Sequence, residues 1–289
     1  MRIEVVGSRG QLGRELLRTL AGTSHQASGH DVESVDIRDP GSVAALLDDV
    51  QPDAVINCAA WTRVDAAETE EAAANGVNAD GPRVLAEACR PREILLCHLS
   101  TDYVFDGTAT EPIDEAAAPN PRSAYGRGKL AGEAAVRAAL PSHQIVRTAW
   151  LYGQAGPNFV LTMLRLARER GALRVVADQW GSPTWTGNLA PALVRLVERG
   201  TPGTYHLTNS GSTSWRGFAQ AIVAEAGLSV PVKAISSSDF PTPAPRPAYS
   251  VLANRAWERL GEAPLPPWRE GLRAYLAQRA AVAPEGTTT

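Results

Sequence analysis

A chain of 289 residues, 44% hydrophobic and 20% charged, is long enough to bury a large core and has the composition of an ordinary globular protein. Its net charge of −3 excludes nucleic acid as a main partner, because phosphate chains need a basic surface, so an anionic substrate would have to be held by a few local cations. No apolar run approaches the roughly 20 residues that span a bilayer, and Met1-Arg2 runs directly into an apolar strand and a glycine loop, so we expect no membrane partner and a cytoplasmic location. Cys58, Cys89 and Cys97 lack metal spacing and sit in apolar runs, as buried reduced thiols do.

In chain order, residues 3–7 predict a short buried strand. It leads through Gly7-Ser8-Arg9-Gly10-Gln11-Leu12-Gly13 into a helix over Gln11–Leu20. Glycines at this spacing permit a tight turn, approach of the backbone to a pyrophosphate and close helix–strand packing, with the helix N-terminus facing the anion. A second strand near His25–Ser28 is weakly marked, and no acid stands out beyond it; Ser28, His30 and Asp31 are the nearest polar side chains. An acid there would bind the ribose hydroxyls of NAD, so its absence leans toward NADPH, with NADH as the alternative. Asp39-Pro40 predicts a helix start capped by Asp39, and Asp36-Ile37 just before it suits the border of an adenine site.

Ala54–Ala60 reads as a buried strand ending in small residues, against which a cofactor can lie. Trp61–Asp65 leads to an acidic helix over 66–74, and another helix follows Asn78. Ile94–Leu99 is an apolar strand that stops on Ser100-Thr101-Asp102, and Ser123-Ala124-Tyr125-Gly126-Arg127-Gly128-Lys129 opens a helix. Tyr125 and Lys129 fall on one helix face, one turn apart. An ammonium that close is expected to pull the phenol below its ordinary pKa of about 10, fitting Tyr125 for proton transfer beside the hydroxyl of Thr101 or Ser100. The spacing alone is common on solvated helices; its place after a dinucleotide loop and a strand ending in Ser-Thr-Asp singles this pair out.

Further strands are expected at 144–153, 175–184 and 203–207, and helices at 159–170, 189–199, 215–226, 253–260 and 268–279. Between them, Ser236–Pro247 is a proline-rich extended loop, residues 283–289 read as a frayed tail, and there is no internal repeat. Strand–helix alternation predicts an α/β fold: a Rossmann-type doubly wound parallel sheet (residues 1–150 plus about 180–210) with a smaller C-terminal α+β substrate-binding domain (about 151–179 plus 211–289). Arg246 in the proline-rich loop is the candidate cation for a diphosphate, and Trp215 a candidate platform for a base, with Trp180 and Trp185 near a cleft.

Together these strings resemble the dTDP-4-dehydrorhamnose reductase family of extended short-chain dehydrogenase/reductases. The resemblance rests on Gly7–Gly13, Asn57-Cys58-Ala59-Ala60-Trp61-Thr62-Arg63-Val64-Asp65 with Glu68, and Ser100-Thr101-Asp102-Tyr103-Val104-Phe105-Asp106-Gly107. It continues through Tyr125–Lys129, Arg147-Thr148-Ala149-Trp150, Asn158-Phe159, Asp178-Gln179 with Gly181-Ser182-Pro183-Thr184, and Arg246-Pro247, over nearly the whole chain. It implies Tyr125 as acid/base, Lys129 as its partner and grip on the nicotinamide ribose, and Thr101 as the hydroxyl on the sugar carbonyl. Gly7, Gly10, Gln11, Leu12 and Gly13 would cradle the pyrophosphate, with Asp36, Ile37, Ala59, Ala60, Trp61, Thr62 and Leu99 lining the cofactor. Asp102, Tyr103, Trp150 and Asn158 would meet the substrate.

The implied reaction is hydride transfer from NADPH to the ketone of a dTDP-4-keto-6-deoxyhexose by a monomer or homodimer. A ketoreductase for another deoxysugar is a close variant. A non-catalytic regulatory subunit of the methionine adenosyltransferase beta type and a nucleotide-sugar epimerase are more distant ones. The intact Thr101, Tyr125 and Lys129 set speaks against a pure scaffold. Glu15 matches a position where some relatives hold magnesium, but Gly187 and Gln278 stand where further glutamates would be needed, so no metal is assigned.

Overall fold

The computed structural model describes residues 1–282, so the expected frayed tail at 283–289 lies outside the described residues. The first half alternates strand and helix: β1 (Arg2–Val6), α1 (Gln11–Leu20), β2 (Gln26–His30), α2 (Pro40–Val50), β3 (Ala54–Asn57), α3 (Glu71–Asn75), α4 (Gly81–Cys89), β4 (Leu95–Thr101), α5 (Ala124–Ala139) and β5 (His143–Thr148). Shorter pieces follow: β6 (Leu151–Tyr152), α6 (Phe159–Glu169), β7 (Leu173–Val176), β8 (Trp180–Gly181), β9 (Thr184–Trp185), α7 (Thr186–Arg199), β10 (Gly203–His206), β11 (Thr213–Ser214), α8 (Trp215–Glu225), β12 (Val232–Ile235), α9 (Arg255–Arg259) and α10 (Trp268–Val282).

Six strands form one parallel sheet in the order β10-β5-β4-β3-β1-β2. Chain direction reverses across the sheet between β1 and β3, and ligands of such sheets bind beyond the strand C-termini at that point. The glycine loop after β1 and Ala59–Thr62 after β3 flank it. β3 and β4 are buried on both faces, as a sheet covered twice requires. One face packs Leu12, Leu16 and Leu20 of α1 against Leu189, Leu193 and Leu196 of α7; the other gathers Val43 and Leu47 of α2, Val84 and Leu85 of α4 and Val136 of α5. Each such side chain contributes roughly 1.5–3 kcal/mol by leaving water.

A separate core lies beyond this sheet. Tyr152, Val160, Leu164, Phe218, Ile222, Leu272 and Tyr275 pack α6, α8 and α10 against the β7–β12 pair, joined in parallel with Leu173 opposite Val232. β10 returns to pair with β5, so the chain crosses between the two cores more than once.

Three expected elements change. The strand at 144–153 breaks at Trp150, whose φ of 48° kinks the chain between β5 and β6 and turns the indole aside. The strand at 175–184 splits into β7, β8 and β9, because Gln179–Ser182 serve loop contacts instead of one ladder. The acidic helix at 66–74 becomes a 3₁₀ turn (Ala66–Glu68) and α3, which runs through a wide π turn (Gly76–Asp80) into α4. The π turn brings the carboxamide of Asn78 inward, where its Oδ1 accepts Trp61 N–H at 2.9 Å and its Nδ2 donates to Trp61 O at 3.0 Å. The extended loop at Ser236–Pro247 also holds a 3₁₀ turn, Ser237–Asp239, closed by a Ser236/Asp239 capping box.

Candidate active site

The site is built where β4 ends and α5 begins. Ser123 caps α5 by accepting Gly126 N–H at 3.1 Å, and Glu68 Oε1 accepts the first-turn amide of Ala124 at 2.8 Å. Farther along the helix, buried Glu133 accepts both arms of buried Arg147 on β5, at 2.8 and 2.7 Å, and the hydroxyl of Ser100 on β4 at 2.6 Å. These charge-assisted bonds fix the rotation and height of α5 against both strands, and with them Tyr125 and Lys129.

Lys129 is 2% exposed and donates to the Leu99 carbonyl at 2.6 Å. Burial pulls its ammonium down to about 8. Tyr125 lies edge-on to Tyr103, ring centres 5.5 Å apart, and next to the Thr101 hydroxyl. The expected depression of its phenol does not occur in the protein alone. Burial pushes it up to about 12, a hydrogen bond with Thr101 works weakly the other way, and the ammonium is directed at a carbonyl. The phenol is therefore held protonated at neutral pH, the state in which it gives a proton.

Thr101 Oγ1 accepts Tyr103 N–H at 3.2 Å and donates to Asp102 Oδ1 at 3.1 Å. Asp102, 2% exposed, is pushed up to about 6 by burial, and its Oδ2 is buried without a partner. An orphaned carboxylate oxygen beside a phenol and a threonine hydroxyl is an acceptor ready for a ligand hydroxyl.

The cofactor residues also come together. Gly7 has φ +78°, and a Cβ there would stand 2.5 Å from Ala59 N, so the two loops at the sheet's reversal touch through backbone only. A Cβ at Gly13 would overlap Gly7 O, which lets α1 start directly against the strand. Gly10 is the N-cap of α1 and supplies no capping side chain, nor does the first turn carry an acid, so its amides are open to a pyrophosphate. Leu12 is buried beneath the loop, and Gln11 donates to Pro157 O at 3.0 Å while its Oε1 is buried and unpaired. Trp61 is held by Asn78 through its backbone and covered by the Arg63 guanidinium, 4.1 Å from the ring centre. Ile37 is buried, and Asp36 pairs at the surface with Arg38. These residues fit a dinucleotide.

The acid missing beyond the weak second strand is found by the structure. β2 ends at His30, and Asp31 follows with Oδ2 accepting Arg9 N–H of the glycine loop at 2.8 Å. The alternation of Gln26–His30 is too polar to mark the strand, which is why its end was not legible.

Opposite, the proline-rich loop docks through Arg246, which donates to Asp65 Oδ2 at 2.8 Å and leaves its Nη1 buried and unpaired. With Tyr103, Gly107, Arg122, Ser123 and Pro247 it lines a cleft of about 340 Å³. Trp150 and Trp215 stack face to face, centres 3.5 Å apart and planes within 6°. One face of Trp215 is thus taken by Trp150, and Phe159 leans on it at 4.5 Å, so it builds the wall instead of standing free for a base. Asn158 is also accounted for structurally: Oδ1 caps α6 on Leu161 N–H and Nδ2 donates to Gly153 O, leaving no free group for a substrate. Trp180 is largely exposed, and Trp185 is half-buried at the start of α7. Buried Glu15 is engaged by Arg18, and among the described residues no three His, Cys, Asp or Glu side chains gather as a metal site.

A glycine cradle at the reversal of a parallel sheet, facing a Thr–Tyr–Lys set on β4 and α5, defines a Rossmann-type nicotinamide-dependent oxidoreductase fold of the short-chain kind. The particular family follows from comparison: residues 1–281 match the RmlD substrate binding domain family, and the chain belongs to it. Among curated proteins it is 48% identical over 281 residues to a probable dTDP-4,6-dihydroxy-2-methyloxan-3-one 4-ketoreductase of Streptomyces antibioticus, covering 94% of each chain. Among solved structures it is similar to a dTDP-4-dehydrorhamnose reductase from Clostridium acetobutylicum (TM-score 0.95, 42% identity, 97% of this chain and 100% of that one). The Bacillus anthracis dTDP-4-dehydrorhamnose reductase, solved in complex with NADP, gives a TM-score of 0.94 at 39% identity, over 96% of this chain and 99% of that one.

Proposed function

We propose that this protein is a reductase that moves a hydride from a reduced nicotinamide dinucleotide to the ketone of a dTDP-4-keto-6-deoxyhexose. The observation that carries the reading is the protonated Tyr125 phenol beside the Thr101 hydroxyl and the unpartnered Asp102 oxygen, facing the glycine cradle. The names of the relatives support the substrate class. When bound, the reduced nicotinamide would supply the hydride. The remaining work falls to this chain. Thr101 and Tyr125 hold the ketone oxygen, Tyr125 gives it a proton, and Asp102 accepts from a sugar hydroxyl. Gly7–Gly13, with the first turn of α1, hold the pyrophosphate, and Lys129 orients the ribose. Arg246, through its unpaired Nη1, takes the substrate diphosphate.

On the cofactor side, NADPH is the reductant and NADH its second substrate. Asp31 favours unphosphorylated ribose hydroxyls, whereas Arg9, exposed in the glycine loop and paired with Glu33, offers charge to a 2′-phosphate. The test is turnover of dTDP-4-keto-6-deoxyhexoses with each dinucleotide, followed by loss of the reduced cofactor's absorbance. The reading fails if no such ketosugar is reduced although the dinucleotide binds tightly, the behaviour of a regulatory subunit.

A further inference from the structure

Lys129 has a second polar neighbour besides the Leu99 carbonyl: Nε2 of His98, 3.5 Å from its Nζ. Which way that contact runs depends on where the imidazole carries its hydrogen. His98 is fully buried on β4, and its Nδ1 lies 3.1 Å from Nδ2 of Asn57, itself fully buried at the end of β3. Asn57 cannot turn round, because its Oδ1 accepts the Ala59 N–H at 3.0 Å and only the amide oxygen can do so. Its Nδ2 therefore donates to the ring. Nδ1 holds the lone pair, and the neutral imidazole carries its hydrogen on Nε2, facing the lysine. An ammonium meets an N–H there instead of a lone pair, which accounts for a contact of 3.5 Å beside a bond of 2.6 Å. A neutral amine would accept that hydrogen.

We propose that Asn57 and His98 are positioning residues that set the proton affinity of Lys129, presenting Nε2–H to its side chain and so favouring the neutral amine. Burial acts in the same direction, and it also keeps His98 uncharged. Among the other titratable groups around Lys129, Cys58 after β3 and Glu133 one turn along α5 act the opposite way, and Tyr125 lies one turn before. The Glu133 carboxylate is already divided among Arg147, Arg137 and Ser100, which leaves the histidine as the neighbour that an exchange of hydrogens can invert. The benefit for catalysis rests on the reductase reading: a lysine that parts readily with a proton can restore the phenol after Tyr125 has given its own to the ketone oxygen. An N–H bond of Lys129 then breaks as the phenol O–H reforms, and water reprotonates the amine.

The chain makes the test direct, because it has five histidines and only two lysines, Lys129 and the exposed Lys233. In ¹⁵N-histidine-labelled full-length protein, with His98 assigned by its loss in His98→Gln, Nε2 is expected to be protonated and Nδ1 bare. A ring protonated on Nδ1 overturns the proposal whether or not the protein is a reductase. In ¹³C-lysine-labelled protein, Lys129 is expected to titrate below Lys233. Asn57→Asp offers Nδ1 a carboxylate oxygen, which should draw the hydrogen across, turn a lone pair toward Lys129 and raise its midpoint by about one pH unit, roughly a tenfold gain in proton affinity, with Lys233 unmoved. A flipped ring with an unmoved Lys129 midpoint also overturns the proposal. If Asn57→Asp does not fold, the tautomer in the wild-type protein still decides.

Discussion

The two walls of the cleft are made differently. The wall on β4 and α5 is a set of buried polar groups, each held by another buried group: Glu133 by Arg147, Lys129 by Leu99 O, and Thr101 by Asp102. The opposite wall is made of loops, an exposed-edge ion pair between Arg246 and Asp65, and the stacked indoles of Trp150 and Trp215. A mistake of an ångström in the first wall misplaces the proton and the hydride, whereas the second wall has only to recognise and cover a nucleotide. The difference separates chemistry from selection, and each wall should fail in its own way.

The largest effects belong to the first wall. Tyr125→Phe removes the proton donor and should lower kcat by about 10²–10⁴-fold with dinucleotide affinity kept, read by turnover and by binding titration. A variant with near wild-type kcat would break the comparison. Arg147→Met leaves the Glu133 charge buried without its main partner and is expected to cost about 3–5 kcal/mol, read as a lower urea midpoint. On the second wall, Arg246→Ala should raise KM for the nucleotide sugar about tenfold or more, the worth of a charged hydrogen bond, with kcat little changed. A fall in kcat of the same size would show that the two walls are not separate.

Asp102 sharpens the comparison through pH. Its folded pKa is raised, so its proton favours the native state and this contribution is complete below the ordinary carboxylate range, then disappears as pH rises through about 6. Turnover that needs the carboxylate should fall below that pH. Asp102→Asn should therefore be stabilised relative to wild type by about 1–2 kcal/mol at pH 8, lose that advantage at pH 4, and show a smaller acid limb in its residual activity. Equal stability differences at both pH values would contradict the burial account. The smallest effect is expected at Asp31→Ser, a several-fold rise in the preference for NADPH over NADH, measured as the ratio of kcat/KM values.

Legibility in the sequence follows the same division. Tyr125, Lys129 and the glycine loop are local patterns, fixed by one helical turn or one tight turn, and could be read from neighbouring letters. His98 and Asn57 sit inside apolar strands and read there as core; their roles depend on which ring nitrogen faces which partner across three elements. Arg246 was legible as a cation in a stiff loop, but its partner Asp65 is 181 positions away. The pairing of Trp150 with Trp215 depends on one left-handed backbone angle, for which an indole gives no signal. Tyr125 was placed correctly, and the direction of its titration was not, because spacing shows the nearby charge and hides the depth of burial that outweighs it.

The most direct measurement is a reaction with reduced dinucleotide carrying deuterium at the transferring carbon and a dTDP-4-keto-6-deoxyhexose, with the product analysed by mass spectrometry and NMR. The account predicts a dTDP-hexose with deuterium at sugar C4, formed by the wild-type protein and scarcely at all by Tyr125→Phe. Ketosugar left unreduced, or product carrying no deuterium at that carbon, would contradict it.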